Sequence, residues 1–133
     1  GNMEVIQYPN SPFTSQNVFN DARLNTYLDT IYSAIATAFG EEQLPIVCGS
    51  VAKVMQGVYS DNYLAKDIDL VIESWQVHRY LEQQLPLLFP TDRVEVRPER
   101  VILFTSFIAI EFWRPTLISP IAYYKNTVKY YVY

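Results

Sequence analysis

Asp67 and Asp69 flank a single isoleucine in the apolar run Asp67-Ile68-Asp69-Leu70-Val71-Ile72. In an extended chain, residues i and i+2 point the same way, with α-carbons roughly 6.6 Å apart. Two full negative charges at that spacing repel by about 2.5 kcal/mol at an effective dielectric near 20. A divalent cation removes that repulsion. Hard cations such as Mg²⁺ or Mn²⁺ take oxygen ligands, and one or two carboxylates with phosphate and water complete their usual shell. The plain alternative is an edge strand whose charges point to water. A third carboxylate strengthens the metal reading, and Glu111 lies inside the apolar run Ile108 to Trp113, where a lone charge is costly unless paired or metal-bound. Glu95, in Val94-Glu95-Val96, competes for that role. Glu111 is preferred because an intervening hairpin fits the order of elements.

Gly49 and Ser50 follow the short apolar run Leu44 to Cys48. A strand that ends in glycine and opens a helix brings unpaired N–H groups and the positive end of the helix dipole to one point, where phosphate binds readily. Glycine allows close approach to the backbone, and the Ser50 hydroxyl can donate a further hydrogen bond. A phosphate cradle beside a two-metal carboxylate cluster suits phosphoryl or nucleotidyl transfer, in which one cation activates the attacking hydroxyl and both stabilise developing charge.

These residues need elements to hold them. Pro9 and Pro12 among Asn, Ser and Thr predict an extended lead-in over residues 1 to 16. Gly1 reads as a tag remnant. Apolar residues at three- and four-residue steps predict an amphipathic helix from about Asn17 to Phe39, stopped by Gly40. A strand over 44–48 leads to a helix over about 51–58 capped by Ser50, and Ile68 to Glu73 reads as the next strand. Ser74 caps a helix that should fail near Pro86. Extended segments at 93–97, 101–105 and 107–113 follow, the first two joined by Pro98-Glu99-Arg100. Ser119-Pro120 predicts a last helix bearing Tyr123, Tyr124, Tyr130, Tyr131 and Tyr133. The order of elements implies the α+β class, a mixed sheet with helices packed against it.

A chain of 133 residues, 50% hydrophobic and 18% charged, supports one core rather than two, so residues 17–133 are expected to form a single domain. The net charge of −4 and the scattered basic residues argue against a strong nucleic-acid face. Cys48 is the only cysteine, which rules out an internal disulfide. With no apolar run of membrane-spanning length and no signal-peptide pattern, a cytoplasmic protein is expected.

The segments Val47-Cys48-Gly49-Ser50, Asp67-Ile68-Asp69-Leu70 and Ile110-Glu111-Phe112 resemble the pattern of the DNA polymerase beta-like nucleotidyltransferase superfamily, particularly its small single-domain bacterial members. The likeness covers about residues 44 to 115. It implies a nucleotidyltransferase-like fold in which Gly49 and Ser50 hold the β and γ phosphates of a nucleoside triphosphate. Asp67 and Asp69 would bind two Mg²⁺ or Mn²⁺ ions. Glu111 would ligate the catalytic ion and help deprotonate the acceptor hydroxyl. The implied reaction moves a nucleoside monophosphate to that hydroxyl and releases pyrophosphate. Where small relatives carry arginines after the Gly-Ser, this chain has Val51-Ala52-Lys53, leaving Lys53 to meet the triphosphate. About twenty residues after Glu111 cannot build the helical domain that relatives use to hold an acceptor, which points to a protein partner supplying it. The alternative is a catalytically silent domain of the same fold, a partner-binding or toxin–antitoxin component.

Blander readings attach to the other polar residues. Lys53 suits a solvated helix position as well as a phosphate contact. His78 is expected at the surface, Cys48 as a small buried hydrophobe, and the terminal tyrosines as core or oligomer contacts. Arg93, Arg97, Arg100 and Arg114 suggest a modest basic rim or a solvated edge.

Overall fold

The structure is a computed structural model that describes residues 22–55, 58–59, 66–114, 122–125 and 128–131. Helix α1, Ala22–Phe39, buries Leu24, Leu28, Ile31, Tyr32 and Ile35 on one stripe, the consequence of apolar residues at helical spacing. Residues 17–21 lie outside the described residues. Gly40, at φ +94°, donates its N–H to Ala36 O at 2.9 Å and turns the chain out of the helix. A 3-10 turn, Glu41–Gln43, leads into strand β1, Ile46–Cys48. The Tyr32 hydroxyl ties α1 to that entry by donating to Pro45 O at 3.1 Å.

The remaining elements are α2 (Gly49–Met55), β2 (Asp67–Val71), α3 (Trp75–Leu88), β3 (Arg93–Val96), β4 (Arg100–Phe104), β5 (Ala109–Trp113), β6 (Ala122–Lys125) and β7 (Val128–Tyr131). Among the described residues these strands form one sheet in the order β3-β4-β5-β2-β1-β7-β6. β2 runs parallel to β5 and β1 parallel to β7, while the other neighbours are antiparallel. The chain is therefore α+β with a mixed sheet, as the order of elements implied.

Strand periodicity divides the sheet into two faces. Val47, Ile68, Leu70, Val101, Leu103, Ile110 and Phe112 turn one way and share a core with Ile31 and Ile35 of α1 and with Val77, Leu81 and Leu85 of α3. Alternate residues on the same strands turn the other way, and they include Asp67, Asp69 and Glu111. Among the described residues, no helix is long and apolar enough to cross a membrane.

Several local expectations need correction. The last helix is replaced by β6 and β7, which pair in the register Lys125 with Val128 and Ala122 with Tyr131. Tyrosine and valine favour extended backbone, and β7 supplies hydrogen bonds to the second edge of β1 that a helix would leave unpaired. Helix α3 does not fail before Pro86 but continues to Leu88 with the proline inside its last turn. Pro86 is exposed, so the Glu82 carbonyl it leaves without a helical partner shares its water-facing side. Ser50 does not cap α2; the helix begins at Gly49. The described part of that helix reaches Met55, residues 56–57 lie outside the described residues, and Val58 and Tyr59, beyond them, donate to Lys53 O at 2.8 and 3.2 Å. β5 starts at Ala109 rather than 107 because Thr105 Oγ1 accepts the N–H groups of Phe107 and Ile108 at 3.4 and 3.0 Å and bends the chain.

Phe112 is fully buried among both helices' core residues. We expect Phe112→Ala to lower the unfolding free energy by about 3–5 kcal/mol in urea titrations. A loss below about 1 kcal/mol would contradict the packing described.

Candidate metal centre

Register is what assembles the acids. Asp69 of β2 lies opposite Glu111 of β5 and opposite Cys48 of β1, while Glu111 lies opposite Ile102 of β4 and Ile102 opposite Glu95 of β3. These five residues form one row across the face turned away from the helices. Asp67 stands two residues along β2 on the same face, opposite Ala109. Among the described residues, carboxylate oxygens of Asp67, Asp69 and Glu111 lie within 4.8 Å of one another, close enough to bind a metal ion. Glu95 is not part of this group. It shares the row, but β4 stands between it and Glu111, and it pairs instead with Arg97 at 3.0 Å.

Confinement shows in the acids' proton affinities. Burial, reinforced by Asp69 and by a hydrogen bond and charge from Asp67, pushes the Glu111 carboxyl up to about 7 despite the nearby Arg100. Burial also raises Asp69, with Asp67 adding to the rise and the Trp113 hydrogen bond and Arg100 opposing it. Cys48 is half-buried on this face rather than in the helix-covered core. Its thiol is pushed up to about 12 by burial and the adjacent Asp69 and Glu111, which keeps it protonated.

Gly49 has a tighter reason to be glycine than ligand access. It sits at φ +67°, and a Cβ there would lie 2.5 Å from Asp69 Oδ2 and 3.3 Å from Asp69 Cβ and Cγ. The strand-to-helix turn is thus packed directly against the second aspartate. Ser50 follows it in the first turn of α2, and Lys53 lies in the last turn with its ammonium 5.4 Å from the Tyr59 ring centre. Gly49 joins the acids; Lys53 meets an aromatic ring. Residues 60–65, in the link to β2, lie outside the described residues, as do the side chains of the terminal tyrosines.

Trp113 and Arg100 beside the acids, and His78 behind Trp113, carry roles that local sequence does not reveal. Trp113, two residues beyond Glu111 on the same face, donates its indole N–H to Asp69 Oδ1 at 3.0 Å. Arg100 lies opposite Trp113 on β4, with its guanidinium 4.6 Å from the Trp113 ring centre. Its Nε is 2.5 Å from Glu111 Oε1, an ion pair in which the Nε–H is not aligned for a hydrogen bond. His78 is wholly buried, not at the surface. Its spacing to Leu81 and Leu85 on α3 is the signal that places it on the apolar stripe. Nε2–H is shared between Ile72 O and Trp113 O, 3.1 Å from each. Burial and Arg114 hold its pKa below the ordinary value.

The four arginines do not form a free basic rim: Arg93 is exposed on β3, the edge strand of the described sheet, and Arg97 follows that strand, so these two form a solvated edge, whereas Arg100 and Arg114 are partly buried. Arg93 stacks on Phe104 at 4.1 Å, and Arg114 stacks on Trp75 at 4.5 Å while pairing with Glu82 at 3.0 Å. Arg97 and Arg100 hold Glu95 and Glu111.

Searches against protein-family models, curated proteins and solved structures find no match to this chain.

Two outcomes follow from this geometry. Gly49→Ala forces a side chain into the Asp69 carboxylate and into left-handed backbone, which we expect to lower stability by at least about 1–2 kcal/mol in denaturant titrations. In the metal-free chain, Glu111 binds its proton more tightly folded, at about 7, than at its ordinary 4.5. Its contribution to stability is therefore complete below about pH 4.5 and lost as pH rises through 7. His78, lowered from 6.5, has the opposite sign: its contribution is present above 6.5 and lost as pH falls. Comparing wild type with Glu111→Gln isolates the acid, and the variant should lack the decline in stability between about pH 5 and 7. Parallel curves would mean that Glu111 titrates normally.

Proposed function

We propose that the chain is a metal-dependent nucleotidyltransferase of the DNA polymerase beta-like kind, moving a nucleoside monophosphate from a nucleoside triphosphate to a hydroxyl acceptor and releasing pyrophosphate. The observation that carries this reading is the convergence of Asp67, Asp69 and Glu111 within 4.8 Å on the sheet face away from the helical core. Support comes also from the Gly49 turn, which packs against Asp69, so that the glycine and the acids meet at one place.

The donor set fits a hard divalent cation, because it is all carboxylate oxygen and its third member resists ionisation until nearly neutral pH without one. When bound, Mg²⁺ or Mn²⁺ would polarise a phosphoryl oxygen and lower the pKa of an attacking hydroxyl. Asp67 and Asp69 would hold the ions from one strand face. Glu111, whose carboxyl is poised near 7 in the metal-free chain, would accept the proton of the acceptor hydroxyl on a carboxylate oxygen. Gly49 and Ser50 would take the phosphates, with Lys53 on the same helix as their counter-charge.

Arg100 favours a second reading. Its Nε at Glu111 supplies positive charge where the third ligand would need a cation, as a catalytically silent, partner-binding domain of the same fold would do.

Melting curves separate the two. Millimolar Mg²⁺ or Mn²⁺ with a nucleoside triphosphate should raise the melting temperature, with about 2.7 kcal/mol of stabilisation at a hundredfold excess over Kd, and Asp69→Asn should abolish the rise. No rise with any of the four common nucleotides would defeat the enzyme reading. A rise without pyrophosphate release, with or without added acceptors, would favour the silent domain.

A further inference from the structure

On the reading that the acids hold a divalent cation, we propose that Trp113 is the positioning residue of the cluster, acting on Asp69 through its indole N–H and on Glu111 through Arg100. Asp69 has two carboxylate oxygens. Oδ1 accepts the indole N–H at 3.0 Å, and Oδ2 faces Gly49 so closely that a Cβ there would lie 2.5 Å away. The carboxylate is thereby fixed in rotation. Glu111 is held from the ring face of the same indole, because Arg100 lies 4.6 Å from the Trp113 ring centre while its Nε reaches Glu111 Oε1 at 2.5 Å. One side chain thus orients two acids, by its edge and by its face.

Trp113 is itself anchored. It ends β5 opposite Val71 of β2 and Arg100 of β4. Its carbonyl accepts the Ile72 N–H at 3.0 Å and lies 3.1 Å from the Nε2 of buried His78. The partly buried ring packs against Ile46 and Val71. Phenylalanine would preserve most of that packing and the platform under Arg100, but it has no N–H for Asp69. Removing a group that orients a metal ligand from behind typically weakens metal binding about 10- to 100-fold.

The full chain titrated with Mn²⁺ alone, followed by calorimetry and by the electron paramagnetic resonance of the bound ion, tests this role. Trp113→Phe should weaken Mn²⁺ binding by about tenfold and alter the line shape of bound Mn²⁺, under conditions where circular dichroism shows the variant folded. Trp113→Leu, which also removes the arginine platform, should weaken it further; if that variant does not fold, Trp113→Phe carries the test. Unchanged affinity and line shape in Trp113→Phe, with Mn²⁺ bound by the wild type, would overturn the positioning role and leave the cation reading standing. Absence of Mn²⁺ binding by the wild type would overturn the cation reading, and the role of Trp113 with it.

Discussion

Like charges repel, and Asp67, Asp69 and Glu111 keep carboxylate oxygens within 4.8 Å of one another. The sheet is what confines them. Ile68 and Leu70 between and beside the aspartates, and Ile110 and Phe112 beside the glutamate, are all buried on the opposite face against α1 and α3. The strands that carry the acids cannot shift apart or slip in register without drawing one of these apolar side chains into water, at about 1.5–3 kcal/mol each. The helical core therefore acts as the spring that holds the charged face together. Arg100, Trp113 and the raised proton affinity of Glu111 are the ways in which the metal-free chain relieves the load.

The parts of this arrangement that follow from local chemistry were legible in the sequence. The strand period places Asp67 and Asp69 on one side, Glu111 is conspicuous in an apolar run, and Gly49 marks a strand-to-helix turn. What was not legible depends on register. Nothing in the local sequence says that Ile102 rather than Glu95 lies opposite Glu111, or that Arg100 lies opposite Trp113. Those pairings are fixed by the turn between β4 and β5, which Thr105 closes by donating its N–H to Ile108 O at 3.0 Å. A lone histidine on a helix suggests solvent, whereas two carbonyls at the ends of β2 and β5 give the Nε2–H of His78 a buried use.

The C-terminal segment departs from its local helix signal for a related reason. Ser119-Pro120 is a sound local start signal for a helix, but β1 has an edge that needs partners, and β7 runs parallel along it. Long-range pairing outweighed the local cue. Pro86 shows the same competition in α3, where the apolar contacts of Val77, Leu81 and Leu85 carry the helix past a residue that on its own would end it.

The parallel pairing of β2 with β5 also has a meaning in time. Asp69 and Glu111 are separated along the chain by α3 and the β3-β4 hairpin, so they meet only after the chain between them has looped back. Contacts of such sequence separation form slowly, because the entropy of closing the loop must be lost before the pairing rewards it. Until β2 and β5 pair, Asp67 and Asp69 are not brought together with Glu111. The cluster is thus an internal report of completed folding, and any ion that requires all three carboxylates selects the finished molecule from its precursors.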